Sequence, residues 1–377
     1  MIDDYTVEIT LETSFAPFPA GLAVPGCSIY NREATEAKGT DSGLEPAGTG
    51  PFKLVKWDYN NEIVLEAHDD YWNGRAKLDG ITIKIVPDAE TQRMMFENGE
   101  LDVFDLDSAR SQIPYFRDNP NYKIEDGLRV GTYYLCLNQD MEPFNNINER
   151  RAIQYAIDRE LLLETLYYGT GVPAKGILGM GLAGYNPDLP GFEFDPDKAK
   201  ALLEEAGYAP GECQLEIWQT VDSPQTLAFN ETLQAMLADV GISVTIKQVD
   251  SASFYAIRGE GEVPMYFSSW SADFNDPDNF LYTFFGAQNP KSRSFNYWDE
   301  EVRGILEQCR QISDPEERYR LYQEAEYKIV YEDAAWVPLF HLKHLFVVQP
   351  WVNNFQVSWN GWSSMSYYSI DIDTNLK

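Results

Sequence analysis

The sequence predicts an α/β protein, and three observations support this fold class. First, residues 214–269 alternate between apolar strands and helices in the order strand, helix, strand, helix, strand. That order usually produces a parallel sheet with right-handed crossovers. Second, the region before residue 130 combines short strands with a short helix, which predicts a second, mixed sheet. Third, 377 residues are enough for two domains, each with its own core.

Composition limits the classes of function. The chain has 60 acidic and 29 basic residues, so its formal charge is −31. This argues against nucleic-acid binding, which needs a basic surface. An acidic field favours cationic or zwitterionic ligands, although an acidic surface that only serves solubility explains the same numbers. No apolar run is long enough to span a bilayer, and the acidic start Met1–Asp4 is not typical of a signal peptide.

The sequence predicts no catalytic and no metal site. It contains neither Gly-x-Ser-x-Gly nor His-Glu-x-x-His. His341 and His344 are three residues apart, which allows a metal pair but is more typical of two partly buried histidines. The cysteines are far apart and indicate neither a zinc site nor a disulfide framework. They are Cys27, Cys136, Cys213 and Cys309.

The first 130 residues predict strands joined by turns. Residues 52–57 and 62–67 are predicted to form an antiparallel hairpin, because turn-forming residues separate two apolar runs. Asp88 is predicted to begin a short helix that ends before Gly99. Alternating or apolar residues predict further strands at 4–11, 80–86 and 102–105.

The remaining residues predict helices with clear capping residues, separated by strands. Asp195, which precedes a proline, begins one helix, and Ser223 begins another. Further helices are predicted to begin at Asn148, Ser251, Asp299 and Asp314. Strands are predicted at 133–138, 214–218, 242–246, 265–269, 335–340 and 345–349.

The stretch Ser268–Pro277 is the strongest candidate for a ligand site. The apolar strand 265–269 leads into it, and Trp270 and Asp273 follow the carboxyl end of that strand. Open α/β sheets tend to bind ligands at this edge. An indole offers a flat apolar wall, and a carboxylate can hold an ammonium group through charge-assisted hydrogen bonds. Trp218 ends another strand of the same predicted sheet, so both indoles face one crevice if these strands are neighbours.

A simpler interpretation of the same stretch is a solvated turn. In that case Asp273 or Asp276 only caps a helix at residues 278–285. From the residue types alone, the two interpretations have similar weight.

Six motifs, spread over most of the chain, can be compared with known families. They are Glu45–Phe52 (EPAGTGPF), Asp70–Trp72 (DYW), Asn98–Asp102 (NGELD), Arg150–Arg159 (RRAIQYAIDR), Phe194–Leu203 (FDPDKAKALL) and Trp270–Asp273 (WSAD). In this order they resemble the bacterial extracellular solute-binding proteins of family 5, the peptide- and nickel-binding components of ABC importers. The resemblance implies a two-lobed clamp of the periplasmic-binding-protein-like type II class, with mixed sheets and a ligand buried between the lobes.

The resemblance also implies a division of the chain. Residues 1–130 form part of the first lobe with a remnant of a small extra domain, 131–349 form the second lobe, and 350–377 return to the first lobe. A motif at Ile2–Val7 lies well inside other family members. We therefore expect that an opening segment with the signal sequence is absent and that the first lobe is incomplete.

The resemblance implies specific roles for site residues. Asp273 is expected to pair with the α-ammonium group of a peptide, and Trp270 to line the same pocket. Ser271, Trp218 and Asn138 complete the predicted ligand-binding set. Dipeptide-selective members carry an arginine in the loop that matches Thr220–Gln225, and this loop has no base here. The sequence therefore favours longer peptides, whose recognition rests on backbone hydrogen bonds.

In functional terms, the resemblance implies a receptor rather than an enzyme. It would be a monomer outside the cytoplasm, in the periplasm or as a cell-surface lipoprotein, that needs no cofactor. It would capture peptides and deliver them to a membrane permease. The alternatives are the same kind of receptor for a nickel chelate, an oligosaccharide or an opine, and, with less support, an enzyme such as a glycoside hydrolase.

Overall fold

The chain divides into two compact units in the computed structural model, which describes residues 2–3, 5–39, 43–286, 289–361 and 365–377. The larger unit contains Met1–Leu22 and Val130–Leu342, and the smaller unit contains Ala23–Arg129 and Lys343–Lys377. The sequence-based division placed residues 1–22 in the first lobe, whereas the structure groups them with the larger unit. They are attached there through hydrogen bonds to backbone carbonyl oxygens of Arg310 and Gln311.

Helices and strands alternate along most of the chain. The strands are β1 (Phe52–Asp58), β2 (Glu62–Ala67), β3 (Gly80–Lys84), β4 (Val103–Asp105), β5 (Lys123–Leu128), β6 (Gly131–Leu137), β7 (Gly171–Pro173), β8 (Cys213–Thr220), β9 (Ile242–Val249), β10 (Met265–Ser271), β11 (Val337–Val348), β12 (Val352–Asn353) and β13 (Asp371–Ile372). The helices are α1 (Phe18–Gly21), α2 (Arg32–Lys38), α3 (Ala89–Glu97), α4 (Ile113–Arg117), α5 (Ile147–Ala156), α6 (Arg159–Tyr167), α7 (Pro196–Glu205), α8 (Pro224–Asp239), α9 (Ser251–Gly259), α10 (Glu300–Cys309) and α11 (Pro315–Tyr327). The predicted α/β class is confirmed. None of the helices in the described part of the chain has the length and apolarity needed to cross a membrane.

The described part of the smaller unit contains three antiparallel arrangements of strands, of which the short pair β12-β13 is one. β1, β2 and β3 form one sheet in that order, which confirms the predicted hairpin. In the third, the second half of β11 pairs with β5 on one side and with β4 on the other. Phe104 of β4 is fully buried, as are Phe96 and Phe116, and the three side chains pack ring against ring. The predicted strands 335–340 and 345–349 are one continuous strand, β11.

The strand predicted at residues 4–11 is wrong. In the described part of this stretch, only an isolated bridge between Asp3 and Thr6 is present, and the residues after it have no regular structure. Tyr5, Val7 and Ile9 alternate with polar residues as a strand would, but their side chains are 99%, 69% and 54% exposed. The alternation alone cannot create a strand, because a strand also needs a neighbour that completes its backbone hydrogen bonds.

The larger unit differs from the predicted three-stranded parallel sheet. β8 and β9 are parallel, as expected, with Trp218 opposite Lys247. β10 instead pairs antiparallel with β6, which lies between β10 and β11. The prediction missed this pairing because β6 precedes β10 by more than a hundred residues. β6 is apolar on both faces, so it can fill the centre of a sheet, and such pairing cannot be inferred from the local order of elements.

Local capping signals located most helices of the larger unit correctly. Asp195 and Ser223 accept hydrogen bonds from Lys198 N and Thr226 N and begin α7 and α8 as predicted. The helix predicted to begin at Asn148 is capped by Asn146 instead. The single helix expected from Asn148 to just before Gly169 is divided into α5 and α6, because Asp158 caps α6 through a 2.9 Å bond from Leu161 N. α8 packs Phe229 and Leu233 into the main core of the unit.

Candidate functional site

The candidate site lies at the carboxyl end of β10. β10 pairs with β6 along its whole length. Its last two residues, Trp270 and Ser271, lie opposite Thr132 and Gly131. A Cβ atom at Gly131 would come within 2.7 Å of the Trp270 carbonyl oxygen. A glycine at this position therefore lets the two strands approach closely enough to fix where β10 ends.

The Trp270 indole is held in place from several sides. Its Nε1 donates a hydrogen bond of 2.9 Å to the backbone oxygen of Asn279. Its ring lies edge-on to Phe284, with 5.3 Å between ring centroids, and the Arg293 guanidinium lies 4.6 Å from the ring centroid. The side chain is half-buried. A ligand would therefore meet a wall that is already ordered.

Asp273 is an exposed carboxylate with one oxygen engaged and one free. Its backbone N donates to Asn279 Oδ1 at 3.0 Å, and its Oδ2 accepts from Asn279 Nδ2 at 3.1 Å. Apart from Asn279, neither oxygen of this carboxylate has a hydrogen-bonding or ionic partner in the described part of the chain. The side chain is thus oriented by Asn279 and retains its capacity to bind a donor, which suits recognition of an ammonium group.

Asn279 is a site residue that the sequence-based prediction missed. It is 4% exposed and joins Trp270 to Asp273 through the bonds just described. The only signal in the sequence was the Asn275-Asp276-Pro277 turn, which brings the chain back towards the end of the strand. That signal locates a turn but does not say which later side chain will reach back into it.

The turn after Asp273 is fixed by a buried ion pair. Arg318 Nη1 and Nη2 donate to the two Asp276 carboxylate oxygens at 2.7 and 2.5 Å, and both residues are about 5% exposed. Asp276 also caps the 3₁₀ turn Pro277–Asn279 by accepting from Asp278 N. The interpretation of this stretch as a capping turn therefore holds for Asp276, whereas Asp273 caps no helix.

A second buried acid supports the same turn. The Asp278 carboxylate lies 3.0 Å from Arg310 Nε and 3.4 Å from the Tyr322 hydroxyl. Burial raises the pKa of Asp278 to about 6, although the Arg310 charge opposes this shift. The turn that carries Asn279 is therefore attached to the helices α10 and α11 by two separate carboxylates.

The structure does not bring Trp218 into contact with the other predicted residues. Trp218 Nε1 donates to Glu216 Oε2 at 3.1 Å, and the Lys247 ammonium lies 3.7 Å from the centroid of its ring. Within the described residues, no ring contact or hydrogen bond joins Trp218 to Trp270 or Asp273. The meeting of the two indoles in one crevice therefore stays a prediction.

Asn138 and Ser271 differ in whether their side chains are available to contact a ligand. Asn138 is fully buried, and both of its amide hydrogens are used, by the backbone oxygens of Gly261 at 2.8 Å and Val263 at 3.1 Å. These contacts give Asn138 a structural role and do not support the predicted ligand role. Ser271 is half-buried at the end of β10, next to the loop that carries Asp273.

The two histidines do not form a metal pair. Residues three apart in a strand point to opposite faces. His341 is buried, with Nδ1 2.9 Å from Gly131 O, and burial lowers its pKa to about 4. His344 instead bonds to the Asp107 carboxylate. In the part of the chain that the structure describes, no cluster of three or more His, Cys, Asp or Glu side chains could hold a metal ion.

A buried glutamate anchors a segment that touches the candidate loop. Ala183 N donates to Asn275 Oδ1 at 2.8 Å, so the segment before Ala183 is attached to the turn after Asp273. Upstream in that segment, Ile177 N and Leu178 N both donate to Glu326 Oε1. Glu326 is 1% exposed and its Oε2 has no hydrogen-bond partner, so burial raises its pKa to about 7.

We expect Glu326 to make the stability of the larger unit depend on pH. Its folded pKa is raised, so the folded state retains a proton that the unfolded state loses between pH 4.5 and about 7. The stability that this group contributes is complete below pH 4.5 and is lost as the pH rises to 7. The expected loss is about 3 kcal/mol. Urea denaturation of the wild type and of Glu326→Gln at several pH values measures it.

The difference in unfolding free energy between these two proteins should change as the pH rises from 4.5 through the folded pKa of about 7, and level off only at higher pH. Glu324→Gln, an exposed position on the same helix, serves as the control and should run parallel to the wild type. Parallel curves for Glu326→Gln would contradict the expectation.

Comparison with known proteins shows the family to which this chain is similar. The family model described as "Bacterial extracellular solute-binding proteins, family 5 Middle" matches residues 1–292. "Heme-binding protein A" of Haemophilus influenzae is 31% identical over 382 residues, which cover 99% of this chain and 69% of that protein. "Glutathione-binding protein GsiB" of Salmonella typhimurium is 31% identical over 348 residues, which cover 90% of this chain and 67% of that protein.

A solved structure is also similar to this chain over nearly its whole length. The periplasmic binding protein DppA of Helicobacter pylori, in complex with the peptide STSA, superposes with a TM-score of 0.81 at 28% identity. The match covers 99% of this chain and 73% of that chain. This chain is therefore similar along nearly its whole length to proteins that contain additional polypeptide.

Proposed function

Because the chain belongs to the bacterial extracellular solute-binding proteins of family 5, we propose that it is the substrate-binding component of an ABC importer and captures peptides by their α-ammonium group. The Asp273 carboxylate carries this proposal. It stands at the end of β10 beside an ordered indole, and the part of the chain that the structure describes supplies no cation to neutralise it.

A free carboxylate in such a position suits an amine better than an anion. A ligand that covers Asp273 removes it from water, and a carboxylate that loses its water needs a compensating positive charge. An α-ammonium group offers three donors, so it can bond to the free Oδ1. The net charge of −31 favours the approach of cationic and zwitterionic solutes over polyanions.

The names of related proteins agree with this chemistry. Glutathione, named for GsiB, and the peptide STSA, named in the DppA complex, both carry an α-ammonium group. The loop Thr220–Gln225 contains no base that could hold the carboxylate of a dipeptide. We propose peptides longer than two residues for that reason. Haem, a nickel chelate and an opine are the competing cargoes, and the test below includes them.

The remaining features of the proposal follow from the family. The protein would act outside the cytoplasm as a monomer, in the periplasm or anchored to the cell surface as a lipoprotein. It would pass its cargo unchanged to a membrane permease, without catalysis and without a cofactor.

Isothermal titration calorimetry of the complete chain tests the proposal. The tetrapeptide Ser-Thr-Ser-Ala is the first ligand, and its N-acetylated form is the control, because acetylation converts the ammonium group into a neutral amide. We expect the free peptide to bind and the acetylated peptide to bind at least about tenfold more weakly. Binding of haem, nickel–histidine or an opine without binding of any peptide would overturn the proposal, as would equal affinities for the two tetrapeptides.

A further inference from the structure

The half-buried Arg293 guanidinium lies beside the candidate site without an acidic partner. Its Cζ atom is 4.6 Å from the centroid of the Trp270 ring and 4.7 Å from that of the Phe284 ring. In the described part of the chain, this guanidinium takes part in no ion pair and no hydrogen bond. The chain has 60 acidic and 29 basic residues, so an arginine that pairs with none of the acids needs an explanation.

The contacts of Arg293 fix its position but leave its hydrogen-bonding capacity unused. A guanidinium has five N–H donors in its plane, and attraction to an aromatic ring uses none of them. Phe284 is 6% exposed and provides a firm support on one side. The Arg293 backbone oxygen accepts a bond of 2.7 Å from the Tyr266 hydroxyl. Arg293 is therefore an ordered donor whose planar fork matches a carboxylate.

A second guanidinium adds positive charge to the same face of β10. Tyr266, Ser268 and Trp270 share that face, because alternate residues of a strand point to the same side. Arg258 Cζ is 5.9 Å from the centroid of the Tyr266 ring, and its buried Nε has no hydrogen-bond partner among the described residues. Burial raises the pKa of Tyr134, which lies opposite Ser268, and the charges of both arginines oppose this shift. This face is thus locally positive in an acidic protein.

Arg293 lies close to the carboxylate that is proposed to hold the α-ammonium group. Trp270 Nε1 is 3.3 Å from Asn279 Oδ1, and Asn279 Nδ2 is 3.1 Å from Asp273 Oδ2. One indole and one amide therefore separate the two charged groups. In an extended peptide, each added residue moves the C-terminal carboxylate about 3.3 Å farther from the ammonium group. A cation at a fixed place near the ammonium group can thus serve peptides of different lengths only through a side chain.

We propose that Arg293 is a specificity-determining residue that selects peptides with aspartate or glutamate at the first or second position. Its guanidinium would donate hydrogen bonds to that side-chain carboxylate while Asp273 holds the α-ammonium group. This inference rests on the proposed function, because the ammonium group places the peptide relative to Arg293. The preferred ligand would carry one positive and one negative group near its N-terminus, which agrees with the acidic field that disfavours polyanions.

Calorimetry of the complete chain with pairs of tetrapeptides tests this preference. The pairs are Ser-Glu-Ser-Ala with Ser-Gln-Ser-Ala, and Asp-Thr-Ser-Ala with Asn-Thr-Ser-Ala, which differ only in the charge of one side chain. In at least one pair, we expect the acidic peptide to bind at least about tenfold more tightly. Ser-Thr-Ser-Glu and Ser-Thr-Ser-Gln should bind equally, because their variable side chain lies at the other end of the peptide.

Arg293→Gln shows whether the preference comes from this guanidinium. We expect the variant to bind the acidic and the neutral peptide of each pair equally. A merely structural role for Arg293, in support of Trp270, would weaken both peptides by the same factor and leave the preference intact. Arg303→Gln is the matched control, because the Arg303 guanidinium also lies over an indole, 3.9 Å from the centroid of the Trp298 ring. It should retain the preference of the wild type.

Four results would overturn the inference. The first is equal affinity of the wild type for both members of both pairs, which remains decisive even if Arg293→Gln fails to fold. The second is a preference that Arg293→Gln leaves unchanged. The third is a preference for glutamate at the fourth position. The fourth is weaker binding of the C-terminal amide of Ser-Gln-Ser-Ala in the wild type but not in Arg293→Gln, because Arg293 would then hold the C-terminal carboxylate.

Failure of the proposed function would give a different result from failure of this inference. If the chain is not a peptide receptor, neither the acidic nor the neutral tetrapeptides bind. If only the role of Arg293 is wrong, the tetrapeptides bind and their affinities do not depend on the acidic side chain.

Discussion

Arg318→Met is expected to lower the free energy of unfolding of the larger unit by about 3–5 kcal/mol. The substitution keeps the volume of the side chain but removes both donors that reach Asp276, which is 4% exposed. The Asp276 carboxylate would then be a buried charge without a partner. Removal of one member of a buried ion pair costs far more than removal of both, because the remaining charge has lost its water.

Urea denaturation followed by circular dichroism measures this loss. Arg320→Met is the matched control, because Arg320 lies on the same helix and pairs with Glu324 at the surface. It should change the unfolding free energy by less than about 1 kcal/mol. The double substitution Asp276→Asn with Arg318→Met should recover part of the loss. A loss below about 1 kcal/mol for Arg318→Met alone would show that this ion pair does not hold the turn.

Features that depend on neighbours in sequence could be predicted. The hairpin of β1 and β2 follows from two apolar runs separated by turn residues, and its pairing is as expected. The starts of α7 and α8 follow from Asp195 and Ser223, because a capping side chain needs only the next three residues to make its bond. The strand that ends at Ser271 could be predicted as well, because it follows from a local run of apolar residues.

Features that depend on distant partners could not be predicted. The β10 strand has the composition of a buried strand, but its composition does not say that β6 will lie beside it. Asp276 could be identified as a capping residue, whereas its ion pair with Arg318 joins residues 42 positions apart. Asn279 belongs to the same class, because it orients Asp273 only after the turn has closed. The sequence thus located the loop but not the contacts that give the loop its shape.

Asp273→Asn is expected to weaken peptide binding by about 3–5 kcal/mol, which is a hundredfold or more in Kd. Asparagine has the shape of aspartate and can still accept a hydrogen bond from Asn279 Nδ2, so the fold of the loop should persist. It lacks the negative charge that would compensate a bound ammonium group. Calorimetry with Ser-Thr-Ser-Ala gives the affinity, and the thermal unfolding midpoint checks that the variant is folded. Asp197→Asn makes the same change of net charge at an exposed position of α7 and should bind like the wild type.

A comparison of the free and the acetylated peptide isolates the contact between Asp273 and the ammonium group. If Asp273 acts on the ammonium group, its replacement should matter for the free peptide and hardly at all for the acetylated peptide, which has no ammonium group to pair. The coupling free energy between the two changes should then account for most of the effect of Asp273→Asn. Equal losses with both peptides would show instead that Asp273 supports the shape of the site through Asn279. Wild-type affinity of the variant for the free peptide would place the ammonium group elsewhere.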